Sequence, residues 1–498
     1  MKTHFAPIIL PRRTTNTPCR QTHHTKIAQG PILEHSFYPL LTTSSPFDTP
    51  AFTTHYTPTT PPLTTTIVHR HMLHLHHTLR RRLCRSLSTA NTPSQDILSL
   101  SDITRAAFRI QDHVINTPFL EAEQLSSLFD VQLFTKLEFK QSTGSFKERG
   151  AANVVLQLTP EQRAKGVIAA SAGNHALALA RHGPRNQCPV TVVMPVVAPL
   201  TKVTNCRNMG ARVIVDGGHL LESRTIADTL IEQEGMTYVN GYDDPAILAG
   251  QGTIGLEMLQ QVPDLDAVVV PIGGGGLIAG VAMAVKNLNP NCKVIGVEPD
   301  MCASWTAAIK AGKPVGVPAE GTLADGLAVT TVGSNAFQVA QHLIDDVITV
   351  SESSIALSIL RLLELESWVV EGGGATAIAG FIDGKLDYLK GQKVGVIMCG
   401  GNIDMPVLGR VIERGLTADG RIHRFVATVS DRPGGIAHLT DCIAESGASV
   451  KDLYHERASV LEDVAAVAIT CTVETRNSEH AKELQQTLKE NGVKYQWG

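Results

Sequence analysis

The chain contains no long hydrophobic run and no paired cysteines. A membrane span needs about 18 uninterrupted apolar residues, and no such stretch occurs among the 498 residues. The nine cysteines include no C-x-x-C motif and no zinc-type spacing, which argues against a disulfide framework and favours free thiols in a reducing compartment. The sequence therefore predicts a protein that neither enters a membrane nor depends on disulfide bonds.

Acidic residues are almost absent from the first 94 residues, which carry ten lysines and arginines against two acids. Since the whole chain has a net charge of −4, this stretch carries +8 and the remainder −12, and an acidic remainder offers no nucleic-acid surface. The stretch is rich in Thr, Pro and His, as in "TTHYTPTTPPLTTT", with no sustained periodicity. We therefore expect residues 1–94 to be disordered, with metal binding by their histidines as the alternative.

Residues 72–90, "MLHLHHTLRRRLCRSLSTA", combine arginines with leucines and contain no acid. This composition is typical of an amphipathic transit peptide, and "RSLST" is similar to a mitochondrial processing site. Because the segment begins at Met72, we expect translation to start there rather than at Met1. We expect a mitochondrial protein, with another organelle or the cytoplasm as alternatives. An ordinary basic tail is the other interpretation of the segment.

Short apolar β-branched runs alternate with helical patterns from about residue 95 to 415. Examples are "PVTVVMP", "ARVIVDGG", "AVVVPIGGGG" and "KVGVIMCGGN". Buried strands that alternate with helices predict an α/β domain with parallel sheets, within which we expect a smaller subdomain at about 165–243. The glycines follow the strands directly, where open α/β sheets bind ligands.

The pattern changes after Gly420. Residues 421–498 read as strand, helix, strand, strand, helix and strand, from "RIHRFVATVSD" to "VKYQW". This βαββαβ order is the ferredoxin-like motif. We expect Ser478 to cap the second helix.

Residues 268–280, "VVVPIGGGGLIAG", place four glycines between a strand and a helix. Free amides at a helix N-terminus bind phosphate groups. Two alternatives stay open for this segment. Gly274, Gly276 and Ala279 fit G-x-G-x-x-A, with Glu298 about 20 residues further on, as a dinucleotide site requires. The glycines would otherwise serve close packing of helix against strand.

Residues 142–151, "STGSFKERGA", place Lys147 in a glycine-containing turn at the start of a helix. A lysine held half-buried at a sheet end can lose its proton and form a Schiff base. A phosphate cradle together with such a lysine is what pyridoxal phosphate needs.

With these motifs, residues 95–415 resemble the fold-type II pyridoxal-phosphate enzymes, specifically the group of threonine dehydratases, serine dehydratases and serine racemases. The landmarks occur in the family's order: "SFKERGA" at 145–151, "SAGNHA" at 171–176, "GGGGL" at 273–277 and "CGGN" at 399–402. The resemblance implies two parallel-sheet subdomains with the site between them and pyridoxal 5'-phosphate as cofactor. It outweighs the dinucleotide interpretation.

The resemblance also implies roles for individual residues. Lys147 would be the Schiff-base residue and the general base. The implied cofactor-binding residues are Lys147, Phe146, Asn174, Gly273, Gly274, Gly275, Gly276, Leu277 and Cys399. Cys399 would face the pyridine nitrogen, where a neutral thiol leaves the ring a weaker electron sink and favours prompt β-elimination. Alternatives are a core role for Phe146, a structural thiol at Cys399 and simple N-capping by Asn174 and Ser171.

The resemblance implies substrate binding by the loop in "SAGNHA", which leads into a helix. The implied residues of this loop are Ser171, Ala172, Gly173 and His175, with His175 equally compatible with a structural role, and Gly326 of "LADGLA" is implied as a further substrate-binding residue. Donors at a helix N-terminus suit a substrate carboxylate. Asp325 and Glu371 also match family stretches near the ligand, with less specificity.

Two positions depart from the racemases of this group. Ala172 stands where racemases carry an acid–base serine, and a methyl group cannot move a proton. Ser304 stands where the racemase cation site, together with Glu298 and Cys302, needs a carboxylate. We therefore expect neither racemisation as the main reaction nor a bound metal.

The implied reaction is deamination of L-threonine to 2-oxobutanoate and ammonia, with L-serine to pyruvate as a secondary activity. The alternatives are a serine racemase or serine-preferring dehydratase of the same fold. An amino-acid sensor with a vestigial catalytic domain is a further alternative, of a different class.

Residues 429–439, "VSDRPGGIAHL", resemble the entry of ACT domains, which often bind amino acids. The implied ligand residues are Asp431, Pro433, Gly434 and Gly435. Because such modules commonly pair, we expect a homo-oligomer, a dimer or tetramer, with a possible amino-acid effector; a dimerisation module without ligand is the alternative. The arrangement is more similar to ACT-bearing catabolic enzymes than to those of isoleucine biosynthesis, and the sequence leaves this role open.

Overall fold

The computed structural model describes residues 97–319, 321–456 and 465–498. The predicted disordered extension, the transit peptide and the expected start at Met72 all lie outside these residues. Within the described ranges, no helix has both the length and the apolar character needed to cross a membrane.

The first sheet has six strands in the order β1-β2-β10-β7-β8-β9. Strand β1 pairs antiparallel with β2, and every other pair is parallel. The strands are β1 (Phe119–Glu121), β2 (Gln132–Lys136), β7 (Ala267–Pro271), β8 (Lys293–Pro299), β9 (Asp346–Val350) and β10 (Lys393–Ile397). Strand β10, the last of these along the chain, therefore lies inside the sheet.

The second sheet has four parallel strands in the order β5-β4-β3-β6. Its strands are β3 (Val167–Ala170), β4 (Val190–Met194), β5 (Arg212–Val215) and β6 (Thr237–Tyr238). All four lie within the range expected for the smaller subdomain, whose limits stay a prediction.

Helices surround both sheets. Before β7 they are α1 (Leu100–Ile110), α2 (Glu123–Phe129), α3 (Lys147–Gln157), α4 (Pro160–Lys165), α5 (Asn174–Arg185), α6 (Leu200–Asn208), α7 (Leu220–Glu234) and α8 (Pro245–Gln261). After β7 they are α9 (Gly276–Leu288), α10 (Ser304–Ala311), α11 (Ser334–Ala340), α12 (Glu352–Glu366), α13 (Gly372–Ile382) and α14 (Met405–Ala418). Short 3-10 turns occur at Glu138–Lys140, Asp300–Cys302, Asp325–Leu327 and Asp387–Leu389.

Strand β7 explains why the sheet-forming runs are continuously apolar. Val268 and Val270 pack into a core with residues of α8 and α9, whereas Ala267 and Val269 pack into a second core with residues of α12 and α13. Successive side chains of a strand point to opposite faces, so a strand covered on both faces needs apolar residues throughout.

The C-terminal sheet is antiparallel, in the order β12-β13-β11-β14. Its elements are β11 (Ile422–Ser430), α15 (Gly435–Ser446), β12 (Ser449–Glu456), β13 (Ala466–Glu474), α16 (Ser478–Glu490) and β14 (Lys494–Trp497). Leu439 and Leu484 of the two helices share a core with Phe425 and Ile469 of the sheet. The predicted βαββαβ order is thus observed.

The predicted fold class is confirmed, with two largely parallel sheets and a ferredoxin-like C-terminal unit. The domain limits 95–415 and 421–498 stay predictions. The cap expected at Ser478 is wrong by one residue, because the Asn477 side chain accepts the hydrogen bond from the His480 amide at 2.9 Å.

Candidate active site

The turn before Lys147 is held against the loop that follows β10. Ser145 forms an antiparallel bridge with Gly400, and the Phe146 amide donates to the Cys399 carbonyl at 3.0 Å. Gly144 has a positive φ of 75°, and a Cβ there would overlap the Asn402 side chain. Two of the family landmarks, far apart along the chain, therefore meet at one point.

Lys147 is the first residue of α3, and its Nζ donates to the Gly241 carbonyl at 2.6 Å. Nζ also lies 5.0 Å from the centre of the Phe146 ring. Burial lowers the pKa of this amine to about 8, against the opposing influence of Cys399 and Glu371. A substantial fraction of such an amine is neutral near physiological pH, and only the neutral amine is nucleophilic.

A buried ion-pair network fixes helix α3. The Arg149 guanidinium binds Glu138 at 2.7 and 2.8 Å and Glu257 at 2.7 and 2.8 Å. Glu257 also accepts from Lys136 Nζ at 2.6 Å. The side chains of Arg149, Glu138 and Lys136 are fully buried, and that of Glu257 is 15% exposed. Two cations thus balance two anions beneath the helix that carries Lys147.

Protein atoms crowd the four glycines. A Cβ on Gly274 would overlap the ring of Tyr242, and a Cβ on Gly276 would overlap the Tyr242 carbonyl. Gly275 caps α9 with a φ of 90°, and a Cβ there would lie 2.5 Å from Trp305 Cζ3. Packing against Tyr242 and Trp305 therefore accounts for the absence of side chains at these positions, whereas the alternative interpretation expected packing of helix against strand.

The same loop presents unused hydrogen-bond donors. Among the described residues, no acceptor is found for the amides of Gly273, Gly274, Gly275 and Gly276. Leu277 follows in the first turn of α9 with its side chain buried in the core, so only its amide could serve a ligand. Close packing and free amides therefore coexist in this loop.

Asn174 is the first residue of α5, and it does not cap the helix. The N-cap is Gly173, without a side-chain cap, so the capping interpretation is wrong for Asn174 and Ser171. Asn174 Nδ2 donates to Glu371 Oε1 at 2.7 Å, and Asn174 Oδ1 accepts from Asn402 Nδ2 at 2.8 Å. Its amide thus joins the second sheet's loop to the "CGGN" loop of the first.

Glu371 is a buried carboxylate at this junction. Burial, reinforced by the nearby charge of Asp325, raises the pKa of Glu371 to about 7. A Cβ added to Gly326 would lie 3.9 Å from Glu371 Oε1, so Gly326 lies next to it. Asp325 is exposed, with its carboxylate 3.8 Å from Lys202 Nζ.

Cys399 and His175 are both buried and both uncharged. Burial raises the pKa of the Cys399 thiol well above its usual value. Burial and the charge of Lys147 lower the pKa of His175 to about 3. His175 Nε2 contacts the Val239 carbonyl at 3.0 Å, and its Nδ1 has no partner among the described residues.

Ser171, Ala172 and Gly173 form the loop between β3 and α5, as expected. The Gly173 amide donates to Ser171 Oγ at 3.4 Å, and a Cβ on Gly173 would meet no atom within 4 Å. There is therefore free space next to the Cα of Gly173 in this loop.

Glu298 does not face a ligand. Its carboxylate accepts from the Trp305 amide at 2.6 Å and from the Thr306 amide and hydroxyl at 2.9 and 2.8 Å, which satisfies the first turn of α10. The first turn of α10 thus occupies the Glu298 carboxylate, which argues against its use for a ribose and against the dinucleotide interpretation. Among the described residues, no group of three His, Cys, Asp or Glu side chains could hold a metal ion.

The candidate effector residues lie between β11 and α15. Gly434 caps α15 with a φ of 102° and has open space around it, whereas a Cβ on Gly435 would overlap the Ser430 carbonyl. Asp431 lies 3.8 Å from His455 Nε2. The structure thus brings Asp431, Pro433 and both glycines to one end of the C-terminal sheet.

Sequence reasoning missed Gly241 and Tyr242, and it gave no individual role to Asn402 of the "CGGN" landmark. The first two belong to "NGYDDP", where an Asn-Gly pair indicates a turn and Asp-Pro indicates a helix start. These local signals predict the turn and not what it contacts.

The arrangement fits a ligand with a phosphate and a carbonyl that reacts with amines. The glycine loop supplies free amides at a helix N-terminus, and Lys147 supplies a reactive amine. Near the lysine, Ser145 Oγ and His175 Nδ1 are buried without partners among the described residues. Unsatisfied buried polar atoms are costly, so a polar ligand accounts for their presence.

Comparisons with known proteins agree with this geometry. Residues 110–400 match the model of a family described as pyridoxal-phosphate dependent enzyme. The chain is 40% identical over 396 residues to an L-threonine ammonia-lyase of Thermotoga maritima, covering 80% of this chain and 98% of the relative.

Two solved structures are similar to more than half of the chain. The processed form of threonine deaminase isoform 2 from Solanum lycopersicum is 37% identical with a TM-score of 0.60, covering 65% of this chain and 98% of that one. Serine racemase from Dictyostelium discoideum is 35% identical with a TM-score of 0.59, covering 62% and 100%. Relatives with two different activities thus share this architecture, and individual residues must separate them.

Proposed function

Because the chain belongs to the family of pyridoxal-phosphate dependent enzymes, we propose that it is a threonine ammonia-lyase. It converts L-threonine to 2-oxobutanoate and ammonia by β-elimination, with L-serine to pyruvate as a slower reaction. The observation that carries the proposal is one turn that contacts both reactive parts: Gly241 accepts a hydrogen bond from the Lys147 amine, and the adjacent Tyr242 contacts the loop of unused amides. The activities of the relatives named above support it.

The chain's own residues fit the cofactor in distinct ways. The amides of Gly273 to Gly276 and of Leu277 would hold its phosphate. Phe146, Asn174 and the neutral thiol of Cys399 would hold its ring. When bound, pyridoxal phosphate supplies the electron sink that acidifies the substrate's α-proton.

Lys147 removes that proton. Its amine is held at the Gly241 carbonyl within the site, and a pKa of about 8 makes it an effective base near neutral pH. The free amides at the start of α5, with Ser171 and Gly173, bind the substrate carboxylate. His175, neutral at all working pH values, accepts a hydrogen bond and adds no charge.

Ala172 supports elimination over racemisation. Inversion at the α-carbon needs a second acid–base group on the face opposite Lys147, and the alanine methyl group carries no proton to exchange. The similarity to a serine racemase concerns the fold, whereas Ala172 decides which reaction the site can catalyse.

The C-terminal unit is proposed to be an ACT-like regulatory domain. Gly434, with open space around it at the start of α15, leaves the helix amides accessible to the carboxylate of an amino-acid effector. Pairing of such units would give a homo-oligomer. We further propose a mitochondrial location, on the composition of residues 72–90.

The test is 2-oxo acid release by the full-length protein from L-threonine, L-serine and D-serine supplied separately. Lys147→Ala should abolish release, whereas Lys165→Ala, an exposed lysine at the end of α4, should leave it unchanged. Fast release from L-threonine is the expected result. Formation of D-serine from L-serine without 2-oxo acid would indicate a racemase, and bound cofactor without any product would indicate a sensor.

A further inference from the structure

We propose that Tyr242 is a positioning residue: its ring holds the glycine loop 273–276 at a fixed distance from Lys147. The inference rests on the proposed use of this loop and this lysine by one cofactor. It concerns a segment, residues 239–244, to which the family resemblance assigned no role.

The segment is the connection from the second sheet to the first. It leaves β6, which ends at Tyr238, and enters α8, which begins at Pro245. Asn240 Oδ1 accepts from the amides of Tyr242 and Asp243 at 3.1 and 3.2 Å. A turn closed by its own side chain presents the Tyr242 ring in a defined direction.

Tyr242 covers one side of the glycine loop. The carbon atoms that a Cβ on Gly274 would meet are Cδ2, Cγ and Cβ of Tyr242, and Gly276 faces the Tyr242 backbone. These contacts involve the proximal ring and the main chain and not the phenolic hydroxyl. The Tyr242 ring therefore packs against the glycine loop and limits its movement toward the turn.

Asp243, the residue after Tyr242, holds the start of α11, which contacts the glycine loop on its other side. Its carboxylate accepts from the amides of Ser334 and Ala336, at 3.0 and 2.9 Å, at the start of α11. The Gly333 amide, just before that helix, donates to the Gly274 carbonyl at 3.0 Å. The loop is thus fixed between Tyr242 and a helix end that Tyr242's neighbour holds.

Gly241 links this assembly to the amine. Its carbonyl accepts from Lys147 Nζ, and its Cα faces the His175 ring, which a Cβ would approach to 2.6 Å. Adjacent residues of one turn therefore touch the reactive amine and the phosphate loop. A shift of the turn changes the distance between the two groups that one cofactor must reach together, and preorganisation of that kind sets affinity.

The experiment measures the dissociation constant of pyridoxal phosphate by equilibrium dialysis of the full-length protein. Tyr242→Ala should weaken binding by about tenfold to a hundredfold, the range expected when a site loses its fixed geometry. Tyr242→Phe should bind as the wild type does, because the contacting ring atoms remain. Tyr388→Ala is the control: this tyrosine donates a hydrogen bond to Asp346 and lies away from the loop.

A second comparison keeps the proposal testable if truncation also loosens the fold. Gly274→Ala alone should weaken binding, because its methyl group overlaps the ring, and adding Tyr242→Ala should recover part of the loss. Wild-type affinity in Tyr242→Ala, or equal losses in the Ala and Phe variants, would overturn the proposal. Wild-type protein that binds the cofactor but releases no 2-oxo acid would instead refute the proposed function and leave the dialysis result interpretable.

Discussion

Removing one anion from the buried network under helix α3 should destabilise the protein strongly. Glu257→Gln leaves Arg149 and Lys136, both with fully buried side chains, sharing the single carboxylate of Glu138. Breaking a buried ion pair on one side costs about 3–5 kcal/mol, because a charge is left uncompensated. Since the Glu257 side chain is 15% exposed, water can partly replace it, so we expect the lower end of this range.

The assay is urea unfolding followed by circular dichroism. With an m-value of about 3 kcal/mol per M, a loss of about 3 kcal/mol lowers the midpoint by about 1 M. The matched control is Glu234→Gln, which breaks the exposed pair with Arg212 and should cost less than about 1 kcal/mol.

Charge balance in the network can be restored by also removing one of its two cations. Adding Lys136→Met to Glu257→Gln leaves one cation and one anion in the network, so the double variant should be more stable than the single one. Burial already lowers the pKa of Lys136, which means that its charge is costly to keep. The reasoning is refuted if the Glu257→Gln midpoint moves by less than about 0.3 M, or if Lys136→Met deepens the loss.

Three further predictions concern the site and the C-terminal unit. The rate of pyridoxal phosphate capture by cofactor-free protein should rise with pH and level off above about 8, the pKa of Lys147; a rate still rising at pH 9 in stopped-flow absorbance would contradict this. The pKa of Glu371 is raised from 4.5 to about 7, so the stability that its protonated form contributes is complete below pH 4.5 and is lost as the pH rises through 7. In Glu371→Gln, the urea unfolding midpoint should therefore change less between pH 4.5 and 7 than it does in the wild type. Asn174→Ala removes two site hydrogen bonds and should lower kcat/KM by about 10- to 100-fold, an expectation that steady-state kinetics on L-threonine would contradict by showing wild-type values.

The sequence predicted the secondary structure around the site because the determining signals are local. The run from Val268 to Gly276 shows a buried strand, a turn and a helix start within nine residues. The lysine turn and the "CGGN" loop were placed in one site by family order. The α/β class followed from the alternation of such runs.

The contacts that give those motifs their geometry were not predictable in the same way. Tyr242 reaches the glycine loop from over thirty positions away, and Glu257 reaches Arg149 across more than one hundred. No periodicity encodes which partner a side chain meets in the folded chain. The glycines are an example: their pattern predicts a phosphate site or close packing of helix against strand, whereas the residue that contacts Gly274 and Gly276 in the structure is Tyr242.

The position of β10 has a consequence for synthesis of the chain. This strand lies between β2 and β7, yet it leaves the ribosome after both, followed by the loop that closes on Ser145. Until Lys393–Ile397 has emerged, the first sheet remains in two halves with unpaired inner edges, the kind of surface that aggregates. Chains that end before Lys393 lack the strand that joins the two halves, so we expect them to be insoluble and inactive.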